Sequence, residues 1–329
     1  MTARQSRVLV ATLVATFLVI AAAPHAGAAG AKGAKAVVQQ HFASPEEAAQ
    51  ALVAAAKSAE LKSLLAILGP AAKPLVDSGD PVADQEAFAD FVTGFEEANA
   101  LEKTSETQVT LTTGKDAWPM PIPIVKDDAG WRFDTEAGDD EIIARRIGRN
   151  ELFTIQSLLA FGDAQREYYA SNPEKSDMLH YARRFLSTNG KRDGLYYPTP
   201  EGEEPSPLGE IFAEAKAEGY KKGGTGKPTP YHGYLYRMLD GQGPHADGGA
   251  YGYLAKDKLL GGFAVIAYPA SWGVSGVMTF QMNQDGVVFE KDLGPKTATA
   301  AQAIKLFDPD ETWKRVPDPE EEPMSPTEP

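Results

Sequence analysis

The spacing of hydrophobic positions changes along this chain from a helical to an extended period. Between residues 45 and 99, apolar side chains recur every three or four positions, as on one face of an amphipathic helix. Ser44 and Glu47 have the composition of a capping box, and Gly69 with Pro70 that of a helix stop. The pattern predicts helices at residues 45–57, 61–68 and 84–99. Runs rich in β-branched and aromatic residues predict strands at residues 108–112, 122–125 and 131–133.

The second half of the chain begins with one long helical pattern. Residues 141–169 predict a single helix, in which Ile155 and Leu159 lie on the apolar stripe. Three strand-like runs follow later, at residues 263–268, 277–282 and 287–289. They predict an antiparallel meander, because Asp285-Gly286 between the last two runs supplies the positive φ of a tight hairpin turn. We expect the stripe of the helix to pack on the inner face of this meander.

Together these patterns predict an α+β fold in two domains. The first domain would combine helices with a small antiparallel sheet, and the second would pack the long helix on a C-terminal antiparallel β-meander. The chain ends in a stretch with five prolines and five acids and no apolar period, which predicts disorder. The predicted segments are a signal peptide at 1–28, a linker at 29–41, domains at 42–138 and 139–316, and a tail at 317–329.

The first residues have the order of parts found in a secretory signal peptide. Arg4 and Arg7 precede an apolar run at residues 8–23, and Ala26-Gly27-Ala28 offers a cleavage site after Ala28. An uncleaved membrane anchor is the alternative, although the run is short for a hydrocarbon core about 30 Å thick. We therefore expect an exported protein, periplasmic or secreted, with no membrane span after cleavage.

The net charge and the absence of cysteine exclude some kinds of binding partner and some kinds of catalysis. The formal net charge of −14 argues against nucleic acid or an anionic membrane surface as partner, because phosphate binding needs clustered Lys and Arg. The chain has no cysteine, which excludes thiol catalysis and a cysteine-ligated metal.

The motifs predict no catalytic, cofactor-binding or metal-binding residue. Ser275 lies in residues 273–277, which lack the glycine spacing of a G-x-S-x-G nucleophile elbow. The histidines of the second half lack the i,i+4 or i,i+2 partners that make a zinc site obvious. These histidines are His180, His232 and His245.

An aromatic-rich segment supplies the candidate binding residues. Tyrosine and tryptophan side chains cluster between residues 231 and 272, and strand alternation puts Tyr234 and Tyr236 on one face. Such a face could stack on glycan rings or dock a partner protein, and core packing with hydroxyls at the rim is the alternative. The candidate partner-binding aromatics are Tyr234, Tyr236, Tyr251, Tyr253 and Trp272.

Five blocks of sequence carry a resemblance to a known family. They are WPMPIPIVKDDAGWRFDTEAG at 118–138, RRIGRNEL at 145–152, DAQREY at 163–168, KRDGLYYP at 191–198 and GGFAVIAYPASWGVSGVMTFQMNQDGVVFEKDLG at 261–294. In this order they are similar to the bacterial domain-of-unknown-function family DUF2950, over residues 42–316. The resemblance implies a family and no activity.

Two further likenesses concern the fold of each half. The first-domain helices with their terminal hairpin resemble the cone-shaped fold of nuclear transport factor 2 and its bacterial relatives. The long helix carrying Asn150-Glu151, followed by the meander, is similar to the globular heads of type IV pilins and pseudopilins. Charged residues such as Arg149 depart from the continuous apolar helix that packs a pilin filament.

These observations favour a non-enzymatic cell-envelope protein with a structural or partner-binding role, whose partner is an unknown envelope protein or glycan. The alternative is an envelope hydrolase acting on glycan or peptide, through carboxylates near the first-domain hairpin or through His232 and His245. A deep pocket that gathers such residues would favour the enzyme, and a shallow aromatic face would favour binding.

Overall fold

A computed structural model describes residues 38–200, 202–220 and 228–317; the predicted signal peptide and the tail beyond residue 317 lie outside them. The described residues contain seven α-helices: α1 Pro45–Ser58, α2 Leu61–Leu68, α3 Lys73–Val76, α4 Pro81–Glu97, α5 Asp139–Ser171, α6 Gly209–Ala217 and α7 Thr297–Ala303. They also contain fourteen strands: β1 Asn99–Ser105, β2 Gln108–Thr113, β3 Trp118–Pro119, β4 Ile124–Asp127, β5 Gly130–Phe133, β6 Tyr234–Leu239, β7 Gly241–Gln242, β8 Tyr251–Gly252, β9 Leu254–Ala255, β10 Lys258–Leu259, β11 Ala264–Pro269, β12 Met278–Asn283, β13 Val288–Asp292 and β14 Lys314–Arg315.

The strands form two larger sheets and two short hairpins. The first sheet has the order β1-β2-β4-β5, with β3 also paired to β2, and the second has the order β14-β13-β12-β11-β6. In the second sheet β11, β12 and β13 are neighbouring antiparallel strands, which confirms the predicted meander. The fold class is therefore α+β, as predicted.

Helix α1 begins at the predicted capping box. The Ser44 hydroxyl accepts a hydrogen bond from the N–H of Glu47 at 3.2 Å, and the Glu47 carboxylate accepts one from the N–H of Ala43 at 3.2 Å. The first bond satisfies a first-turn donor that a free helix end would leave open, and the second satisfies the N–H of the residue before the cap. A short local motif was therefore sufficient to predict this boundary.

The boundaries of α4 and the strand after it differ from the sequence prediction. Asp80 caps α4 through hydrogen bonds from the first turn, so the helix begins at Pro81, three residues before the predicted start. It ends at Glu97, and the chain continues directly into β1. Six of the seven β1 residues are exposed, so this strand has no hydrophobic alternation that a sequence pattern could detect.

Helix α5 contributes to two hydrophobic cores. Near its start, Ile142 and Ile143 pack against the core of the first half. Further along, Leu158 and Phe161 lie in the core on the inner face of the second sheet. The helix has 33 residues, which makes it about 50 Å long at 1.5 Å per residue. Through these contacts the described residues form one compact unit.

The buried face of α5 lies one position away from the predicted stripe. Leu159 is 38% exposed, so its predicted packing on the sheet is wrong, whereas Leu158 is fully buried. Ile155 is half-buried and packs against the second core, as predicted. The same face contains buried polar residues, which a search for hydrophobic positions misses. These residues are Asn150, Thr154 and Gln165.

Among the helices of the described residues, none combines the length and the hydrophobicity needed to cross a bilayer.

Candidate functional site

A charged cleft of about 250 Å³ lies where the chain after α5 meets the hairpin of β9 and β10. Helix α5 ends at Ser171, and its C-cap residue Asn172 adopts a left-handed φ of 44°. The chain then pairs with the hairpin through a bridge between Tyr181 and Leu259. The hairpin turns at Lys256 and Asp257, whose φ angles of 49° and 60° suit a two-residue type I′ turn. The residues that line the cleft are Glu174, His180, Arg183, Arg184, Asp193, Lys256, Asp257 and Lys258. We call it the His180 cleft.

Among the histidines of the described residues, His180 has the most buried side chain. Its side chain is only 7% exposed, and Nδ1 lies 3.1 Å from the carbonyl oxygen of Tyr181. Because a carbonyl oxygen only accepts hydrogen bonds, Nδ1 carries a hydrogen in this arrangement. Nε2 lies 3.5 Å from Oε1 of Glu174. The ring is therefore held between a fixed backbone acceptor and a carboxylate.

Tyr168 on α5 anchors Glu174 from behind. Its hydroxyl oxygen lies 2.7 Å from Oε1 of Glu174 and 2.8 Å from the carbonyl oxygen of Arg192, so two acceptors share one hydrogen. Burial, followed by the contact with Glu174, raises the pKa of Tyr168, which keeps the hydroxyl protonated as a donor. The cleft is thus tied to the end of α5 on one side and to the Arg192 loop on the other.

Basic side chains form the rim of the cleft. Arg183 donates to the carbonyl oxygen of Asp257 at 3.1 Å, and its guanidinium is 3.9 Å from the Asp257 carboxylate. Lys258 donates to the neutral hydroxyl of Ser176 at 2.7 Å. No ion pair of Lys256 is found within the described part of the chain. The cations of the rim are therefore only weakly neutralised.

Two of the three cleft carboxylates, those of Glu174 and Asp193, accept hydrogen bonds within the chain. Asp193 accepts from the N–H of Thr188 at 2.7 Å and from its hydroxyl at 2.8 Å. Burial opposes ionisation here, but the Thr188 hydrogen bonds and the charge of Arg184 outweigh it and lower the pKa of Asp193. Since Glu174 and Asp193 accept hydrogen bonds within the chain, while Lys256 has no ion pair among the described residues and Lys258 meets only a neutral hydroxyl, the cleft has the chemistry to bind a carboxylate or phosphate group.

The five predicted aromatics do not share one surface. Tyr234 is fully buried, and Tyr236 is half-buried against the same core, on the same strand face that alternation predicts. Tyr253 is fully buried, and its ring meets that of Tyr251 edge to face at 5.6 Å. Tyr251 is 39% exposed and Trp272 is half-buried. Tyr251 is therefore the most exposed member of the set.

The other two histidines of the second half each have a separate carboxylate. The His232 ring packs against the Phe153 ring at a tilt of 40°, with ring centroids 3.7 Å apart. Its Nε2 lies 3.2 Å from Glu218 without the alignment of a hydrogen bond. His245 pairs with Asp308 at 3.0 Å. Within the described residues, no group of three or more His, Cys, Asp or Glu side chains is arranged to hold a metal.

Ser275 and the Asn150-Glu151 pair hold α5 to the second sheet. Ser275 is fully buried, and its carbonyl oxygen accepts a hydrogen bond from Asn150 at 2.9 Å. Glu151 Oε1 accepts from two successive backbone N–H groups at the start of β12, those of Val277 at 2.8 Å and Met278 at 2.9 Å. The role of these polar residues is to fix the packing of the helix on the sheet.

Sequence reasoning did not single out the His180 cleft. Its lining residues come from two segments, 174–193 and 256–258, that are far apart in sequence and meet through the Tyr181–Leu259 bridge and side-chain hydrogen bonds. His180 has no partner at metal-ligand spacing, and the basic residues are spread over more than 70 positions. The one local signal was the density of charge around the Lys256-Asp257 turn.

The structure is that of an α+β protein with two larger sheets. Its surface cleft contains side chains of both charges, and its rim is mainly basic. The sequence model of the family described as "Protein of unknown function (DUF2950)" matches residues 39–316. The chain therefore belongs to the DUF2950 family, which confirms the resemblance of the five sequence blocks. Comparison with curated proteins and with solved structures finds no match.

Proposed function

We propose that this chain is an exported, non-enzymatic protein of the cell envelope that binds an anionic group of an envelope glycan or protein through the His180 cleft. The observation that carries the proposal is the rim of Arg183, Lys256 and Lys258, whose charges are only weakly neutralised within the described residues. The chain has a formal net charge of −14, so a local group of accessible cations distinguishes the cleft from the rest of the acidic protein. It would attract a carboxylate or phosphate that the rest of the surface repels.

Export rests on the sequence of the first 28 residues, which has the parts of a cleavable signal peptide. We expect the mature protein to begin at or near Ala29. N-terminal sequencing of the protein from the periplasm or the medium tests this, and recovery of the intact Met1 form in the membrane fraction would overturn it.

The likeness to pilin heads is a proposal about geometry. It is supported by the packing of Leu158 and Phe161 of α5 on the inner face of an antiparallel sheet. Both ends of α5 already pack in cores of this chain. We therefore propose a pilin-head-like unit whose helix serves internal packing and does not assemble filaments.

Binding can be tested with peptidoglycan, whose peptide stems carry free carboxylates. The mature chain is sedimented with purified peptidoglycan and with the same material after its carboxylates have been converted to amides. We expect retention on the native material, loss of retention with added salt and weak retention on the amidated material. Capture of envelope proteins from an extract forms the second arm, because the anionic group can also belong to a protein. Failure of both arms would contradict the proposal.

An envelope hydrolase is the second candidate, because one observation favours it. Glu174 and His180, 3.5 Å apart, are a carboxylate–imidazole pair in the lining of the cleft, and such pairs can move protons to and from a substrate. Release of products from peptidoglycan or peptides by the wild type, abolished in Glu174→Gln, would establish the enzyme. Binding without turnover would favour the proposal above.

A further inference from the structure

A second pocket, separate in its lining residues from the His180 cleft, is formed by α6 and the chain that precedes it. Its volume is about 320 Å³. Aromatic rings and proline rings provide apolar walls, while hydroxyl-bearing residues and one carboxylate provide polar atoms. The residues that matter here are Tyr196, Tyr197, Pro198, Pro205, Ser206 and Glu210. We call it the Ser206 pocket.

Ser206 contributes a polar atom with no partner in the folded chain. The residue is 4% exposed, and among the described residues its Oγ has no hydrogen-bond partner. Buried hydroxyl groups in folded proteins are nearly always hydrogen-bonded. A hydroxyl that lines a pocket and has no partner therefore indicates a position where a bound group would complete the hydrogen bond.

Two tyrosine rings of the pocket wall are held by contacts with neighbouring side chains. Tyr196 stacks on Phe212 with ring centroids 4.5 Å apart and an interplanar angle of 19°. The guanidinium carbon of Arg192 already lies 5.1 Å from the centre of the Tyr197 ring. Aromatic faces attract cations through their negative quadrupole potential. The Arg192 contact shows that a cation is accepted by one of the rings that line this pocket.

Carboxylates make the surroundings of the pocket negative. Burial, together with the charges of Glu204 and Glu210, raises the pKa of Glu167, so these two carboxylates lie close enough to Glu167 to repel its charge. Glu203 is paired with Arg192 at 3.2 Å, but no ion pair is found for the other three acids within the described residues. A cation bound beside Glu210 would relieve this repulsion.

We propose that the Ser206 pocket binds an organic cation, an ammonium or guanidinium group carried on an apolar stem. The stem packs on the rings of Tyr196 and Pro205, and the charged group lies beside Glu210. The Ser206 hydroxyl accepts a hydrogen bond from the N–H of the cation. The Ser206 pocket and the His180 cleft share no lining residue. Binding of a cation in the pocket therefore does not depend on binding of an anionic group in the cleft.

The test is a titration of the mature chain by calorimetry and by amide NMR with three probes. They are n-butylammonium, Nα-acetyl-lysine methylamide and the uncharged Nα-acetyl-norleucine methylamide. We expect a charged probe to bind about tenfold more tightly than the norleucine probe, a factor typical of one cation–π and ion-pair contact. The largest amide shifts should fall in residues 196–213.

Two variants and a matched control connect the binding to the pocket. Glu210→Gln should weaken binding of the charged probes about fivefold or more, and Ser206→Ala should weaken it by a smaller factor. Glu214→Gln removes the same charge one turn along α6, where it lies near Tyr231 instead, and should leave binding unchanged. Urea midpoints equal to that of the wild type establish that the variants fold.

The three probes answer two questions: whether the pocket binds a cation, and whether that cation is a free amine or a peptide side chain. Binding of both charged probes indicates a free amine as a sufficient ligand, and binding of the lysine probe alone indicates a peptide side chain. Each result supports the site. Equal affinity for the lysine and norleucine probes, or unchanged affinity in a folded Glu210→Gln variant, would overturn it.

Discussion

At the scale of single residues, buried and half-buried acids of this chain act as acceptors for backbone donors. Glu151 accepts from two N–H groups of β12, and Asp80 accepts from the first turn of α4 and from the N–H of Gly233 at 2.9 Å. The Tyr220 hydroxyl also donates to Asp80, at 2.9 Å. Each acid joins parts of the chain that are distant in sequence, because the donors it satisfies belong to different elements.

Replacing Glu151 tests whether these bonds stabilise the fold. In Glu151→Ala the N–H groups of Val277 and Met278 lose their acceptor, which should lower the free energy of unfolding by about 2–4 kcal/mol. Glu151→Gln keeps an acceptor oxygen and should lose less. Urea denaturation measures both, with exposed Glu141→Gln as a control. A Glu151→Ala variant as stable as the wild type would show that solvent satisfies these groups.

The pH dependence of stability tests Asp193. Its pKa is lowered in the folded state, so its ionisation stabilises the fold above the unfolded pKa of about 3.9. This stabilisation is lost as pH falls through the lower folded pKa. Wild type should therefore exceed Asp193→Asn in urea midpoint near neutral pH, and the two should converge at about pH 2. Asp177→Asn, on the exposed part of the same segment, is the control; a constant difference across pH would contradict the assignment.

At the scale of elements, the face that α5 turns to the sheet can be tested with two neighbouring leucines. Leu158 is fully buried and Leu159 is 38% exposed. Leu158→Ala should therefore lower the free energy of unfolding by about 2–5 kcal/mol, and Leu159→Ala by less than about 1 kcal/mol. Urea denaturation of both variants is the measurement. A larger loss for Leu159→Ala would mean that the helix is rotated from the orientation described here.

Elements with strong periods or short motifs could be predicted from the sequence. The capping box at Ser44, the long helix and the meander around Asp285-Gly286 follow from local patterns, since each is decided by neighbouring residues. The strand β1 is mostly exposed and carries no such pattern. The face of α5 was predicted one position off because polar Thr154 and Gln165 are buried.

The candidate sites could not be predicted for a related reason. The His180 cleft forms from tertiary pairing between segments more than 60 residues apart, and nothing in the local sequence shows that they meet. The Ser206 pocket depends on which hydroxyl is left without a partner after folding. The predicted aromatics clustered in sequence because several of them pack in the core, as the burial of Tyr234 and Tyr253 illustrates.

At the scale of the whole molecule, α5 connects the parts of the chain on which the proposed function depends. One end packs in the core of the first half, and Tyr168 near the other end contacts Glu174 of the His180 cleft. The lining residues of the cleft lie on the chain after α5 and on the β9–β10 turn, and the Tyr168 contact ties them to the end of a long helix. Side chains that are held in place bind a partner with less loss of conformational entropy. Its rim supplies cations to a protein that is otherwise strongly acidic.

The most direct measurement compares two charge-reversal variants in binding to native peptidoglycan and to envelope proteins. Arg183→Glu/Lys256→Glu reverses the rim of the His180 cleft, and Lys62→Glu/Lys73→Glu makes the same change in net charge on exposed positions of the first half. We expect the rim variant to lose binding by about tenfold or more and the control to bind like the wild type. Equal binding by the rim variant and the wild type, with both folded, would contradict the account.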